Sequence, residues 1–507
     1  MSTRGLRGAV VGERLVGESA LEGLSRRQVL YGGGLAAAVV ALDALQRQAS
    51  VPVRVGGAAP GAKPGDVQFD IAAFVPPART VEGVEVRFGP VHTVFATATL
   101  SRTPTAADQR LLRDALGTIE HRYPFSPTGV FTFLAYGLPY FRRLPGGLDG
   151  PLVAAHLPRL AQDPGRYVLE EAVPGPTDVS PANPGVTKDR FEVPVAIEDN
   201  DLLFTFRSDR AGNIRDVLGW LGGSGRLAGR PEPSPAFDGL LRFTSSRVMF
   251  QQRGLPRKVA DANGLVYAFM VNPDSPMWMG FADQQVDASA PAARVTFHGA
   301  APATAAAGDY FDNGSVQHLS HVIMDLQQFY DVDDHGTPGD DAGYTERVQY
   351  MFRSTPPPSA GYRDQYTNGG GPAFLANTFE GTDDALRNAR GLGTPDGEHR
   401  LGHISTLQRS SRDRSGRPLH LRMDGPGFDT MDVPDGSAQP KLQFTAFVPS
   451  ADFFATMRRN QASVDLATAN AVAPHERGLE RFLTATRRQN FLVPPRRHRA
   501  FPLIEHV

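Results

Sequence analysis

Two residues in the stretch from His403 to Arg422 can act together in redox chemistry. It opens His403-Ile404-Ser405-Thr406-Leu407-Gln408-Arg409, crosses a charged segment from Ser410 to Pro418, and ends Leu419-His420-Leu421-Arg422. An imidazole is a common axial ligand of haem iron. A guanidinium that never gives up its proton can stabilise negative charge on a peroxide as the O–O bond breaks. The arginine follows the histidine by 422 − 403 = 19 positions. The chain holds thirteen histidines, so this spacing is weak alone. A loop histidine and an arginine salt-bridged on a strand are the competing readings.

A second stretch adds a carboxylate: Met277-Trp278-Met279-Gly280-Phe281-Ala282-Asp283. A Gly-flanked Asp commonly caps a helix or closes a turn. Held above a metal, the same carboxylate can move a proton from the near to the far oxygen of a bound peroxide.

Together these stretches resemble the dye-decolorising peroxidase family. Gly280, Phe281 and Asp283 match its Gly-Phe-x-Asp-Gly motif, His403 its haem-ligating histidine, and Arg422 its distal arginine. The resemblance implies haem b with His403 as the axial ligand of iron, and Asp283 and Arg422 as the catalytic pair. Gly280, Phe281, Arg422 and Phe444 are then expected against the cofactor. Phe444 and Phe447 face it if their strand lies beside it, and core packing is the competing reading. The implied partners are hydrogen peroxide and a broad or unspecified organic electron donor, with bulky donors oxidised at the surface through Trp278 or a tyrosine. The implied fold is α+β, two ferredoxin-like halves in a dimeric α/β-barrel architecture.

The departures keep another reading in view. Gln284 stands where the motif has its second glycine, Ser320 and His321 stand where the family carries paired arginines, and Met423 to Phe428 replaces an aromatic segment. A haem-binding or iron-handling protein with little turnover is the alternative, and a cofactor-free α+β protein is a third.

The positioning elements follow from pattern. A length of 507 residues suits two or three domains, and 41% hydrophobic with 21% charged residues allows a sizeable core. A net charge of −2 gives no basic footprint for nucleic acid. The absence of cysteine removes disulfides, zinc thiolates, iron–sulfur clusters and a thiolate haem ligand. Arg26-Arg27 ahead of the Gly/Ala-rich run Tyr31 to Leu42 looks like a twin-arginine export signal, too short to span a membrane comfortably. The expected organisation is a signal segment at 1–50, a linker at 51–66, an N-terminal half at 67–230 and a C-terminal half at 231–507 carrying the haem site. An oligomer is compatible with this plan.

Strands are expected at Val91–Leu100, Gly129–Leu134, Asp201–Phe206, Gly264–Asn272 and Lys441–Val448. Helices are expected after the capping box Thr105–Asp108, at Gly212–Trp220 and at Ser450–Gln461. Gln317–Tyr330 reads as a strand entering a helix. His318 and His321 share a face only if that stretch is helical, as a metal pair lacking a third ligand. Asp331 to Gly336 begins like a calcium loop but has Ala342 where Glu is required, so an acidic surface loop is expected.

Overall fold

The computed structural model describes residues 26–52, 54, 62–77, 79–81, 84–86, 89–160, 163–170, 188, 190–273, 275–279, 289–298, 305–337, 418, 420–454, 457 and 479–507. From a long helix, α1 (Arg26–Gln48), the chain enters strand β1 (His92–Leu100), helix α2 (Ala106–Arg122), strands β2 (Phe131–Gly137) and β3 (Leu202–Ser208), helix α3 (Ala211–Leu221) and strand β4 (Leu241–Phe250). The capping box starts α2 as expected: Asp108 N–H donates to the Thr105 hydroxyl, and the Asp108 carboxylate accepts the Thr105 N–H at 2.7 Å. Leu112, Leu116 and Ile119 then bury one face of it.

These four strands lie in the order β2-β3-β1-β4, and their β–α–β–β–α–β succession is the ferredoxin-like arrangement. The second half repeats the order. Strands β5 (Ser315–Met324), β6 (Gly425–Asp429), β7 (Gln439–Val448) and β8 (Leu483–Val493) lie as β6-β7-β5-β8. Pairing of Phe491 with Gly137 and Leu492 with Tyr136 joins β8 to β2, so both halves share one ten-stranded sheet among the described residues. The two ends of this sheet curl until they meet. A side chain at Gly427 would place its Cβ 3.0 Å from the Val248 carbonyl of β4, which is why small residues line β6 there.

The curl creates an inside and an outside. Inside, Phe95, Phe131, Phe133, Leu203, Leu319, Phe447 and Phe491 pack together, with Phe69 stacked on Phe447 at 4.1 Å. Outside, α2 and α3 cover the first half, and α1 lies along β4. Leu35, Ala38, Leu42 and Leu45 of α1 are buried. The helix comes so near the strand that a Cβ at Gly34 would sit 2.7 Å from the Phe243 carbonyl oxygen. The Ala38 N–H donates to Ser246 Oγ, and Asp43 pairs with Arg215. No described helix is long and apolar enough to cross a membrane.

Two expectations change. Gly264–Asn272 forms no strand: helix Leu255–Ala262 precedes it, and the segment holds only a 3-10 turn at Ala268–Met270. Gly264, at φ 62°, ends the preceding helical stretch, and Tyr267, Ala268 and Val271 are buried without two-residue alternation. His318 and His321 sit on β5 rather than on a helix, so an odd separation sends them to opposite faces. Beyond β5, Asp325 accepts the Gln328 N–H and starts helix Leu326–Tyr330, the expected strand-to-helix change. Of the expected helix Ser450–Gln461, residues 452–454 and 457 are described and helical.

Candidate functional site

Strand register assembles the site. Across the outer face of the second half, Ala446 of β7 and Asn490 of β8 flank His318 of β5. A two-residue strand, Leu421–Arg422, extends this row, because Arg422 pairs with Ala446. The next row down holds Phe444, Ser320 and Arg488, and the one after it Leu442, Val322 and Ala485. Directly opposed residues on paired strands point to the same face. Arg422 and Phe444, both singled out from the sequence, therefore share one face with His318.

Below the first row lies an open pocket. Val322, Leu442, Phe444, Phe454, Met457 and Leu483 give it apolar walls, while Ser320, Glu480 and Arg488 supply the polar groups. That mixture, mostly apolar with few polar groups, is typical of a small-molecule or cofactor site. His318 is buried behind two of the lining residues, Ser320 and Phe454. Its Nδ1 lies 2.8 Å from Asn490 Oδ1, its Nε2 lies 2.6 Å from Ser320 Oγ, and its ring stacks on Phe454 with centroids 3.5 Å apart. The Arg422 side chain is 17% exposed and reaches Asp424 at 4.0 Å, while the Arg422 backbone N–H donates to Ser289 Oγ.

The inner face of the same strands carries a denser charged cluster. His321 Nδ1 lies 2.9 Å from Thr486 Oγ1, and Nε2 lies 3.3 Å from the Asp429 carboxylate. A bulge in the β8 register after His321 supplies the extra residue, Thr486, that makes this contact. Lys441 Nζ donates to the Met431 carbonyl at 2.7 Å and lies 3.6 Å from Asp429. Asp432 accepts two 2.7 Å bonds from Arg487. Burial lowers the pKa of His321, against the pull of Asp429. Burial raises that of Asp432, but hydrogen bonds from Arg487 and Thr486 overcome it and bring it down to about 2. Every charge here meets an opposite charge, and no described group of His, Asp and Glu has the makings of a metal site.

Gly280, Phe281, Asp283 and His403 lie outside the described residues. Arg422 and Phe444 fall on the pocket face. Phe447 falls inside the curled sheet, three residues from Phe444 and hence on the other face. Trp278 is not at the surface: it is 1% exposed and donates its indole N–H to the Gly427 carbonyl. Sequence reasoning missed Ser320, Phe454, Arg488 and Asn490. Assigning Gln317–Met324 as a strand, with His318 and Ser320 two apart, would have placed both on one face.

No curated protein matches the chain. Among solved structures it is similar to a dye-decolorizing protein from V. cholerae (13% identity over 82% of this chain and 97% of that one, TM-score 0.41). It is similar also to a dye-decolorizing peroxidase from Bacteroides thetaiotaomicron (12%, 88% and 98%, TM-score 0.43) and to DyPB from Rhodococcus jostii RHA1 (13%, 82% and 96%, TM-score 0.44). Likenesses this weak carry no conclusion about activity. The model of one family, described as a family of unknown function (DUF7405), matches residues 167–495, which is more than half of the chain. The chain belongs to that family.

Proposed function

We propose that this chain is an exported haem-dependent peroxidase of the dye-decolorising type, which reduces hydrogen peroxide at the expense of an organic electron donor. One observation carries the reading. Arg422 and Phe444, marked by motif and position in the sequence, meet on one face of the second half, beside an apolar pocket with a guanidinium at its wall. The doubled ferredoxin-like strand order supports the barrel architecture that the resemblance implies.

The lining fits a haem b in chemical kind. Phe444, Phe454, Leu442 and Val322 offer the apolar contact a porphyrin ring needs, and Arg488 offers a cation to its acidic side arms. His403 would ligate its iron, and Gly280 and Phe281 would contact the ring. Bound haem would supply the two electrons that reduce peroxide, and the organic donor would restore them.

This chain's own residues handle protons and charge. Asp283 would accept the proton of one peroxide oxygen and return it to the other. Arg422, permanently charged, would offset negative charge that develops as the O–O bond breaks. The apolar walls would lower the local dielectric around bound haem and so strengthen both effects.

Export rests on Arg26-Arg27, which open helix α1. A receptor reads such a pair as an address rather than using it as an anchor. The test of the enzymatic reading is twofold: a Soret band on the haem-loaded chain, then peroxide-dependent bleaching of a dye. A Soret band without bleaching would leave a haem-binding protein. No band at all would remove the cofactor.

A further inference from the structure

We propose that Asn490, His318 and Ser320 form a proton relay opening into the pocket, with Ser320 as its pocket-facing end and His318 as the acid–base group acting through it. The inference rests on the peroxidase reading and adds a second proton carrier beside Asp283.

The hydrogen bonds fix the direction of the relay. Asn490 Oδ1 can only accept, so His318 carries its proton on Nδ1 at 2.8 Å. In the neutral imidazole Nε2 then keeps a lone pair, and it accepts the Ser320 hydroxyl at 2.6 Å. Stacking on Phe454 holds the ring in this plane. An imidazole oriented by one neighbour and bonded through its other nitrogen to a hydroxyl is the arrangement of a working general base. His318 is fully buried, whereas Ser320 lines the pocket, so the hydroxyl is the point of contact with a ligand.

Two further observations point to a ligand here. Asn490 is 3% exposed, yet its Nδ2 has no hydrogen-bond partner, a donor left over on the pocket face. Arg422 stands two strand spacings from His318 in the same row, roughly 10 Å, with Ala446 on the strand between them. The proposed base and a permanent cation therefore share the face that bears the pocket. Ser320 also occupies one of the two positions where the resembled family carries arginine, so a proton-conducting hydroxyl replaces a fixed charge. Among the described residues that line the pocket, the charged groups are Glu480 and Arg488.

The proton balance closes. One peroxide oxygen gives its proton to Ser320 Oγ while the hydroxyl proton passes to His318 Nε2. The reverse transfer delivers a proton to the second oxygen as the O–O bond breaks. One water leaves with both peroxide protons, and the relay is back at its starting state. The cleavage takes two electrons, which bound haem would supply and the organic donor restore, and two further protons complete the second water.

The test measures the reaction of haem-loaded full-length chain with hydrogen peroxide by stopped flow across pH. His318→Gln should keep the Soret band, slow the reaction by on the order of 10²–10⁴-fold and flatten its pH profile. Ser320→Ala should do the same, and Ser320→Thr should stay near the parent. Asn490→Asp should move the inflection of the profile to higher pH, because a carboxylate makes the imidazole more basic. A readout free of turnover is the ¹⁵N shift of His318 in haem-free chain, which should report Nδ1 protonation and lose it in Asn490→Leu. A Soret band with parental rate and profile in His318→Gln overturns the relay alone. No Soret band in the parent overturns the peroxidase reading and the relay with it. A profile abolished only by Asp283→Asn assigns the proton to that carboxylate instead.

Discussion

His318 and His321 stand three residues apart on one strand and live in opposite surroundings. His321, on the inner face, is held by Thr486 and Asp429 with Lys441, Asp432 and Arg487 close by, so each charge has a counter-charge. His318, on the outer face, meets a neutral amide and a hydroxyl, and the hydroxyl opens into a pocket. Groups saturated by opposite charges hold a structure together, whereas the proposed relay sets an imidazole behind a pocket-facing hydroxyl. The pleat of a single strand sends the two histidines into these two surroundings.

Substitutions can break this contrast. The largest effects, alongside that of His318→Gln, should come from Asp283→Asn and Arg422→Leu, each keeping the haem spectrum while slowing the peroxide reaction, by about 10²–10⁴-fold for the proton-moving carboxylate and about 10²–10³-fold for the charge-stabilising guanidinium. Parental rates in both variants would remove these residues from the pocket. On the inner face the effect should be on stability instead. Asp429→Ala leaves Lys441 and His321 without their counter-charge and should cost about 2–3 kcal/mol in urea unfolding. That is less than for a wholly buried pair, since the Asp429 side chain keeps 27% of its exposure. The same variant should bind haem with the parental Soret band, and a shifted band would mean that the two faces are coupled.

Acid should sharpen the comparison further. Burial lowers the pKa of His92 from 6.5 to about 4. Between those values the unfolded chain binds a proton that the folded chain refuses, so stability is full above that window and falls as pH drops through it. His321, lowered by burial as well, adds loss in the same direction. Asp432, held at about 2 against its ordinary 3.8, adds a later loss as the pH falls below that ordinary value toward 2. His92→Phe should flatten the first part of the curve by roughly 3 kcal/mol in total. An unchanged slope between pH 6.5 and 4 would contradict the burial account of His92.

How much of this was legible in the sequence depended on whether a single periodicity governed a segment. β1, β2, β3 and β7 announce themselves because β-branched and aromatic residues run continuously or alternate, and α2 because a capping box precedes a helical apolar stripe. The stretch Gly264–Asn272 has strand-like composition, but its buried residues follow a turn rather than a pleat. The pocket was only half legible. Arg422 and Phe444 carry motif and strand signals, whereas Ser320 and Asn490 are ordinary polar residues until register sets them beside His318. Helix α1 shows a different limit. Its Gly/Ala-rich run has little amphipathic contrast and reads as an address, yet its small residues are what let it lie against β4. Gly34→Val should therefore loosen α1 and raise its hydrogen exchange, with a smaller cost than the inner-face variant. Arg26→Lys with Arg27→Lys should leave the fold intact and keep the chain in the cytoplasm. Secretion at the parental level would remove the export proposal.

The central claim is that His403 bonds the iron of a haem seated on the face that holds Arg422 and Phe444. The most direct measurement is the Soret spectrum of the haem-reconstituted chain beside those of His403→Ala and the alanine variants of His318, His321, His399 and His420. A band in the parent, lost or displaced in His403→Ala, partly restored by added imidazole and retained in the other four, is the result expected. An unchanged band in His403→Ala, with loss in one of the others, would contradict the assignment and move the iron to that histidine.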